Sequence, residues 1–406
     1  MLTRQAVILC GGRGDWLHPL TDSLPRPLAL AAGRPFLWHL LGQLRDNGYQ
    51  EVVLLTGYRG DMIADACGDG AEIGLRIEYR HGPEEWQTAR RLWDARALLQ
   101  PHFLLLYGDN YATFQHPRIE RVFHEQGRLG CLTVHPRAAR ANVAVTDGGR
   151  VVAYDSSRSM SGLNAVEIGY ALFSSQIFAA FTEENESFSQ VLGRLAKDGQ
   201  LAAFLQRDAY QSVSDLDRLA VADAYFTPKK ILLIDRDGTI NRKAERARYL
   251  ADWSEWRFVP ETLEALKRLA AAGWSFVVIS NQAGVGRGLM TAEQVWELDR
   301  RMKEALGREG VSILGSHYCF HHWDDHCLCR KPEPGMFHAA SREYGVRLDR
   351  AWYLGDDPRD AVAAWRAGCR CAYIGPPGEL DSIDGETRPA LVAADARVFA
   401  ERLLQA

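Results

Sequence analysis

The chain has 406 residues, which is too long for one ordinary hydrophobic core and therefore predicts two domains. With 47% hydrophobic and 25% charged residues, it has the composition of an average globular protein. The formal net charge of -4, without a polybasic run, argues against nucleic acid as a partner, and no apolar stretch reaches membrane-spanning length.

The N-terminus shows a short apolar run that leads into glycines. It lacks the pattern of a cleavable signal peptide and is better explained as a first strand. We therefore expect a cytoplasmic protein that is not associated with a membrane.

Strand and helix patterns alternate through the first hundred residues. The predicted elements are strands over 6–10, 51–56, 75–79 and 103–107, and helices over 35–47 and 86–99. Strands that alternate with helices usually form parallel sheets. This half is therefore predicted to be an α/β domain whose ligand crevice lies at the carboxyl ends of its strands.

Glycines follow the first predicted strand directly. The main-chain N–H groups of Gly11, Gly12 and Gly14 can hold a phosphate, although a tight turn without a ligand explains the pattern equally well. Asp109 follows the strand over 103–107. It is a single carboxylate, whereas magnesium-dependent transferases spread the metal over several oxygens.

The stretch over 11–21, with Pro25-Arg26-Pro27-Leu28 after it, resembles the signature of sugar-1-phosphate nucleotidyltransferases, particularly the heptose-1-phosphate guanylyltransferase branch. The resemblance covers roughly residues 1–225. It implies a Rossmann-type mixed sheet that binds a sugar phosphate and a nucleotide. The residues implied at this site are Gly11, Gly12, Gly14, Arg26 and Asp109.

Several departures weaken this resemblance. Trp16 stands where the family has an arginine, and Arg26 stands where it has a lysine. The segment over 86–90 lacks the glycines that let the backbone approach the nucleotide. No acid stands over 210–214, where a second metal-binding aspartate is expected. We predict a domain that has lost catalysis but still binds a sugar phosphate or a nucleotide, or supports dimerisation; an active transferase is the alternative.

A short proline-bearing connector over 226–230 separates the two halves. It predicts one domain over 1–228 and a second over 229–406. The sequence leaves the oligomeric state open.

The second half opens on Ile231-Leu232-Leu233-Ile234, a short apolar strand that ends in Asp235 and Asp237. Because side chains alternate along a strand, both acids can point the same way at its carboxyl end. Two carboxylates at the rim of an α/β sheet suit Mg²⁺ and phosphate. An exposed acidic turn is the simpler explanation of this pair taken alone.

Three further motifs carry polar residues in order. Ser280 and Asn281 follow the strand predicted over 274–279, Lys331 precedes a helix, and Asp356 follows the strand predicted over 351–354. Hydroxyl, amide and ammonium groups bind phosphoryl oxygens, and carboxylates bind Mg²⁺.

Together these motifs resemble the four motifs of the haloacid dehalogenase superfamily of phosphatases, over roughly residues 229–375. The resemblance implies that Asp235 attacks phosphorus and becomes an aspartyl phosphate, while Asp237 acts as acid and base. It implies that Ser280 and Lys331 hold the phosphoryl oxygens. The implied magnesium ligands are Asp235, Asp237 through its main-chain carbonyl, and Asp356, with Asp357 or Asp360 in support.

Soft metal ligands are concentrated between the second and third motifs. The set is Cys319, His321, Cys327 and Cys329. Four such ligands in eleven residues predict a closed, structural Zn²⁺ site. Unrelated buried cysteines are the alternative explanation. The alternative ligands are His317, His322 and His326.

The stretches over 235–241, 280–288 and 329–336 resemble the heptose-1,7-bisphosphate 7-phosphatase family, with histidinol-phosphate phosphatases as close relatives. This implies a compact domain without a large cap, in which Asn281, Arg287 and Arg330 help to bind a sugar phosphate. Asp357 stands where the heptose enzymes often carry lysine, which leaves the substrate and its anomer open.

The expected function is Mg²⁺-dependent removal of the 7-phosphate from a heptose bisphosphate, in the synthesis of a nucleotide-activated heptose. One alternative is a bifunctional enzyme that also transfers a nucleotide to heptose 1-phosphate. The other is a histidinol-phosphate-type phosphatase with a ligand-sensing N-terminal domain.

Overall fold

The computed structural model describes residues 3–113, 115–137, 139–182, 184–208, 210–245 and 248–405. The chain divides into two compact units, Met1–Thr227 and Pro228–Ala406. Within the described residues, no helix is both long and apolar enough to cross a membrane.

The first unit is built around one large mixed sheet. The strands of this unit are β1 Gln5–Leu9, β2 Leu30–Ala31, β3 Arg34–Pro35, β4 Glu51–Thr56, β5 Arg76–His81, β6 His102–Tyr107, β7 Asn110–Ala112, β8 Gly130–Pro136, β9 Val143–Val145, β10 Val151–Tyr154, β11 Ala165–Ser174, β12 Leu201–Leu205 and β13 Tyr210–Ser212. Strands β2 and β3 form a separate two-stranded sheet, and so do β7 and β13. Its helices are α1 Phe36–Asp46, α2 Gly60–Cys67, α3 Thr88–Asp94, α4 His116–Gln126, α5 Phe188–Lys197 and α6 Leu216–Phe226.

Strands β5, β4, β1 and β6 are parallel neighbours, and β11 continues the sheet antiparallel to β6. Side chains alternate between two cores: Ala6 and Ile8 of β1 belong to one hydrophobic cluster, and Val7 belongs to the other. The sheet is therefore covered on both faces, and polar loops collect at the strand ends. The predicted α/β class with a mixed sheet in this unit is confirmed.

The helix predicted over 86–99 is too long. The α-helix covers only Thr88–Asp94, and a separate 3-10 turn covers Arg96–Leu98. The start is delayed because the main-chain N–H of Gln87 donates to Asn185 Oδ1 at 2.8 Å, a tertiary bond that sequence periodicity does not reveal.

The second unit contains a six-stranded parallel sheet in the order β16-β15-β14-β17-β18-β19. Its strands are β14 Ile231–Ile234, β15 Ser275–Asn281, β16 Ile313–Cys319, β17 Trp352–Gly355, β18 Arg370–Tyr373 and β19 Leu391–Val392. Its helices are α7 Pro260–Ala271, α8 Ala283–Gly286, α9 Ala292–Arg308, α10 Gly335–Tyr344, α11 Pro358–Ala367 and α12 Ala396–Gln405.

Helices cover both faces of this sheet. Leu266 of α7, Met302 of α9 and Phe399 of α12 pack in one core, while Phe337 of α10 and Ala361 of α11 pack in the other. Strand β14 lies between β15 and β17, so the carboxyl ends of these three strands meet at one edge. Ligands bind at this edge of open α/β sheets.

Candidate active site

Two carboxylates stand at the end of β14 in the second unit. Asp235 follows the strand directly and is 6% exposed, while Asp237 lies two residues further on. Gly238 turns the chain with a φ of +96°, and a Cβ at this position would collide with Asp356 Oδ2. The glycine therefore allows the loop after β14 to approach the acid that follows β17.

Lys331 supplies the positive charge beside these acids. Its ammonium lies 3.0 Å from Asp235 Oδ1 and 2.7 Å from Asp360 Oδ1, and it donates to the hydroxyl of Tyr353 at 2.7 Å. Burial opposes the charged form, but the two acids prevail and raise the pKa of Lys331. Burial also raises the pKa of Asp235 to about 6, against the attraction of Lys331.

Three buried or half-buried acids gather at this edge. One carboxylate oxygen each of Asp235, Asp356 and Asp360 lies within 4.8 Å of the others. Lys243 Nζ lies 2.6 Å from Asp356 Oδ2. Burial and then the charge of Asp235 raise the pKa of Asp356. Hard oxygen donors that repel one another in this way form a set that suits Mg²⁺.

The two acids expected to support the metal have other partners. Asp357 caps α11 and pairs with Arg359 at 2.6 Å. Asp360 accepts a hydrogen bond from the main-chain N–H of Asp357 at 3.1 Å, besides binding Lys331. These contacts hold Lys331 and the start of α11, while Asp360 also remains in the group of three acids with Asp235 and Asp356.

Asp237 is held by three side chains. Arg236 Nη2 lies 2.9 Å from its Oδ2, Asn241 Nδ2 donates to its Oδ1 at 2.9 Å, and Gln282 Nε2 donates to its Oδ2 at 2.6 Å. Burial favours protonation, but Arg236 and the two amides prevail and hold the pKa of Asp237 below its ordinary value. Sequence reasoning missed Arg236 and Gln282. The sequence marks them only as polar residues within the stretches over 235–241 and 280–288.

Ser280 and Asn281 end β15 beside this cluster. Ser280 is buried, and its Oγ accepts a hydrogen bond from Gln282 Nε2 at 3.2 Å. Asn281 accepts from the main-chain N–H of Lys331 at 2.9 Å and donates to its carbonyl at 3.0 Å. These two bonds fix the position of Lys331, and the role of Asn281 as a substrate ligand stays a prediction.

A cleft of about 660 Å³ opens beside Lys331. Its lining residues are Trp323, His326, Cys327, Leu328, Arg330, Lys331, Pro332, Glu333 and Arg359. Nη1 of Arg330 is buried without a hydrogen-bond partner among the described residues, as expected of a group that awaits a ligand. Arg287 is not in this lining; its guanidinium lies 5.0 Å from the ring centre of Trp323, which borders the cleft.

The four predicted zinc ligands lie together at the end of β16 and in the loop after it. Cys319 Sγ is 3.6 Å from Cys327 Sγ and 3.4 Å from Cys329 Sγ, and His321 Nδ1 is 3.2 Å from Cys329 Sγ. A Zn–S bond of about 2.3 Å gives a sulfur–sulfur separation of roughly 3.7 Å in a tetrahedron, so the donors fit Zn²⁺. The alternative ligands named from the sequence, His317, His322 and His326, do not belong to this donor group.

The predicted nucleotide site of the first unit lies where β1 and β6 end side by side. Its residues are Gly11, Gly12, Gly14, Arg26 and Asp109. Arg26 Nη1 lies 3.0 Å from Asp109 Oδ2, so the predicted phosphate ligand and metal ligand neutralise each other. The glycine loop enters a three-residue 3-10 turn, Asp15–Leu17, and not an α-helix whose dipole could attract phosphate.

The segment where a second metal-binding acid was expected does lie beside Asp109. Strand β13 pairs antiparallel with β7, and the main-chain N–H of Val213 donates to the carbonyl of Asp109 at 2.9 Å. It brings no carboxylate. Glu167 of β11 is the nearby acid that sequence reasoning missed; burial, with a further contribution from Asp109, raises its pKa to about 7.

A second residue missed in this unit is Arg91 of α3. Its guanidinium packs so closely on Gly11 and Gly57 that a Cβ on either glycine would collide with it. Nη1 donates to the carbonyl of Thr56 at 2.7 Å, and Nη2 donates to that of Pro83 at 2.6 Å. A buried arginine therefore fills the space between the carboxyl ends of β1 and β4.

We expect Arg91→Ala to lower the free energy of unfolding of the first unit by about 3 kcal/mol or more, because it removes several charged hydrogen bonds and leaves a cavity. Urea denaturation followed by circular dichroism measures the change. Arg90→Ala is the matched control: among the described residues its side chain makes one long hydrogen bond, 3.5 Å to the carbonyl of Glu184, and stacks on the ring of Trp86, which predicts a loss below about 1.5 kcal/mol. Equal losses in the two variants would contradict the role of Arg91.

Two family models match the chain. Residues 5–148 match the nucleotidyl transferase family, and residues 230–366 match the polynucleotide kinase 3 phosphatase family. A solved structure of a Bacillus anthracis protein, described as a glucose-1-phosphate thymidylyltransferase, covers 55% of this chain and 95% of its own at a TM-score of 0.50. At 19% identity that likeness shows the fold of the first unit alone.

Curated relatives match part of the chain at higher identity. A D-glycero-beta-D-manno-heptose-1,7-bisphosphate 7-phosphatase of Pseudomonas aeruginosa is 36% identical over 146 residues, which are 36% of this chain and 81% of the relative. The protein of the same name from Bordetella bronchiseptica is 34% identical over 178 residues, which are 43% of this chain and 98% of the relative.

Proposed function

The chain belongs to the D-glycero-D-manno-heptose-1,7-bisphosphate 7-phosphatase family of phosphomonoesterases, and on this premise we propose that it removes the 7-phosphate of a heptose bisphosphate through an aspartyl-phosphate intermediate. The observation that carries the proposal is the ion pair of buried Lys331 with Asp235, 3.0 Å apart at the end of β14. A charged lysine beside a carboxylate neutralises an incoming phosphoryl group.

In the first step an oxygen of Asp235 attacks phosphorus, and the bond from phosphorus to the sugar oxygen breaks. The carboxylate of Asp237 takes the proton carried by the bound phosphate monoanion and passes it to that oxygen, so that the sugar leaves as an alcohol. Lys331 and the hydroxyl of Ser280 hold the phosphoryl oxygens, whose charge is spread in the transition state. In the second step Asp237 takes a proton from water, which attacks the aspartyl phosphate and releases inorganic phosphate.

We assign Mg²⁺ to Asp235, Asp356 and the main-chain carbonyl of Asp237. When bound, the ion supplies positive charge to the phosphoryl oxygens. The chain contributes clustered acids whose mutual repulsion favours a cation, and Lys243, paired with Asp356 in this structure, has to yield to it.

Substrate choice tests this proposal directly. We expect the purified chain with Mg²⁺ to release phosphate from heptose 1,7-bisphosphate with a kcat/KM at least about tenfold above that for histidinol phosphate. Cationic Arg330 in the cleft favours a substrate with a second phosphate. A preference for histidinol phosphate would overturn the heptose assignment while leaving the phosphatase chemistry in place.

For the first unit we propose ligand binding without nucleotidyl transfer. The support is the neutralised Arg26–Asp109 pair, the absence of an acid in β13 and the space filled by Arg91. Calorimetric titration with heptose 1-phosphate, GTP and ATP tests it, together with an assay for pyrophosphate. Pyrophosphate release would instead establish the bifunctional alternative.

A further inference from the structure

The carboxylate of Asp237 is enclosed by side chains from two strand ends. Arg236 Nε and Nη2 lie 3.2 and 3.1 Å from Oδ1, and Nη2 lies 2.9 Å from Oδ2. Gln282 Nε2 donates to Oδ2 at 2.6 Å, and Arg236 Nη2 donates to Gln282 Oε1 at 2.9 Å. The three side chains thus form a closed ring of hydrogen bonds, which leaves the carboxylate few orientations.

Arg236 is itself immobilised. It is 1% exposed, and its guanidinium lies 5.9 Å from the ring centre of Trp256 and 5.6 Å from that of Tyr318. The hydroxyl of Tyr318 donates to Asp299 Oδ1 at 2.7 Å. Arginine is almost never fully buried unless it is paired, so this position demands that it stay with Asp237.

Gln282 connects the acid to the phosphate-binding groups. It is 1% exposed, and the same Nε2 that binds Asp237 lies 3.2 Å from Ser280 Oγ. One amide therefore sets the distance between the proposed proton donor and the proposed phosphoryl ligand. A misplacement of about 1 Å at such a point can cost roughly 100-fold in rate.

We propose that Arg236 and Gln282 are positioning residues that fix the carboxyl group of Asp237 for proton transfer to the departing sugar oxygen. The inference rests on the proposed role of Asp237 as the acid. It predicts a dependence on the leaving group. When the phosphorus–oxygen bond breaks, an alkoxide needs the proton, whereas a phenolate with electron-withdrawing substituents leaves without it.

The test compares kcat/KM for an alkyl phosphate with kcat/KM for p-nitrophenyl phosphate. The parameter kcat/KM is used because it reports only the steps up to cleavage of the phosphorus–oxygen bond. We expect Gln282→Ala to lower it by about tenfold or more for the alkyl phosphate and by less than about twofold for the aryl phosphate. Arg236→Lys keeps the positive charge but loses the bidentate geometry, so it too is expected to lower kcat/KM more for the alkyl phosphate than for the aryl phosphate.

Asn281→Ala is the matched control, since it loosens Lys331 at the same strand end without touching Asp237. It should lower kcat/KM by the same factor for both substrates. An equal loss for both substrates in Gln282→Ala would overturn the positioning role. If Arg236→Lys does not fold, Gln282→Ala decides the question. Asp237→Asn tests the role of Asp237 as the acid separately from the positioning role of Arg236 and Gln282. If this variant lowers kcat/KM equally for both substrates, the proposed function of Asp237 fails.

Discussion

Asp235→Asn is expected to lower phosphate release from heptose bisphosphate by roughly 10⁴-fold or more, because the amide keeps the shape of the side chain but loses the negative charge of the nucleophile. The fold should survive the change. Lys331 retains Asp360 at 2.7 Å as a partner, and one of three mutually repelling acids disappears.

The measurement is single-turnover phosphate release, with acid quenching to trap a phosphorylated protein that hydroxylamine cleaves. Wild-type chain should yield this species and Asp235→Asn should not. Asp395→Asn is the control: that carboxylate lies outside the site, binds Arg397 at 2.7 Å, and its change should leave turnover within about twofold. Full turnover in Asp235→Asn would mean that another group attacks phosphorus.

The placement of the main catalytic candidates could be predicted because parallel strands present their carboxyl ends at one edge. Asp235 and Asp356 each follow an apolar strand, Ser280 lies at the end of another, and these strands, β14, β17 and β15, are neighbours. Lys331 follows no strand. Its place beside Asp235 depends on the pairing of its main chain with Asn281, a tertiary contact that no local pattern contains.

The residues that sequence reasoning missed are polar side chains buried by tertiary packing. Arginine is ordinarily a surface residue, so neither Arg236 nor Arg91 stood out in the sequence. Arg236 is buried because Trp256 and Tyr318 close over it. Arg91 is buried because two glycines let its guanidinium approach the main chain. Both roles follow from contacts across long stretches of chain, which composition and periodicity do not encode.

The cysteine–histidine loop carries the second large expected effect. Chelation of zinc, or Cys329→Ser, is expected to abolish most phosphatase activity, because the loop over 319–329 leads directly into Arg330 and Lys331. Changing a residue that only supports a metal ligand typically costs 10- to 100-fold in affinity or activity, so loss of a ligand should cost at least about 100-fold.

Zinc content of the purified chain, measured by mass spectrometry of the metal, should be near one ion per chain in the wild type and much lower in Cys329→Ser. Cys369→Ser is the matched control, because this buried thiol lies outside the donor group, and its zinc content should not change. The three thiols lie within 3.6 Å of one another, so a chain that carries a disulfide in place of zinc would contradict the assignment. If phosphatase activity is lost when zinc is removed and is regained when zinc is added back, this supports the view that the ion holds Lys331 in place for the chemistry at Asp235.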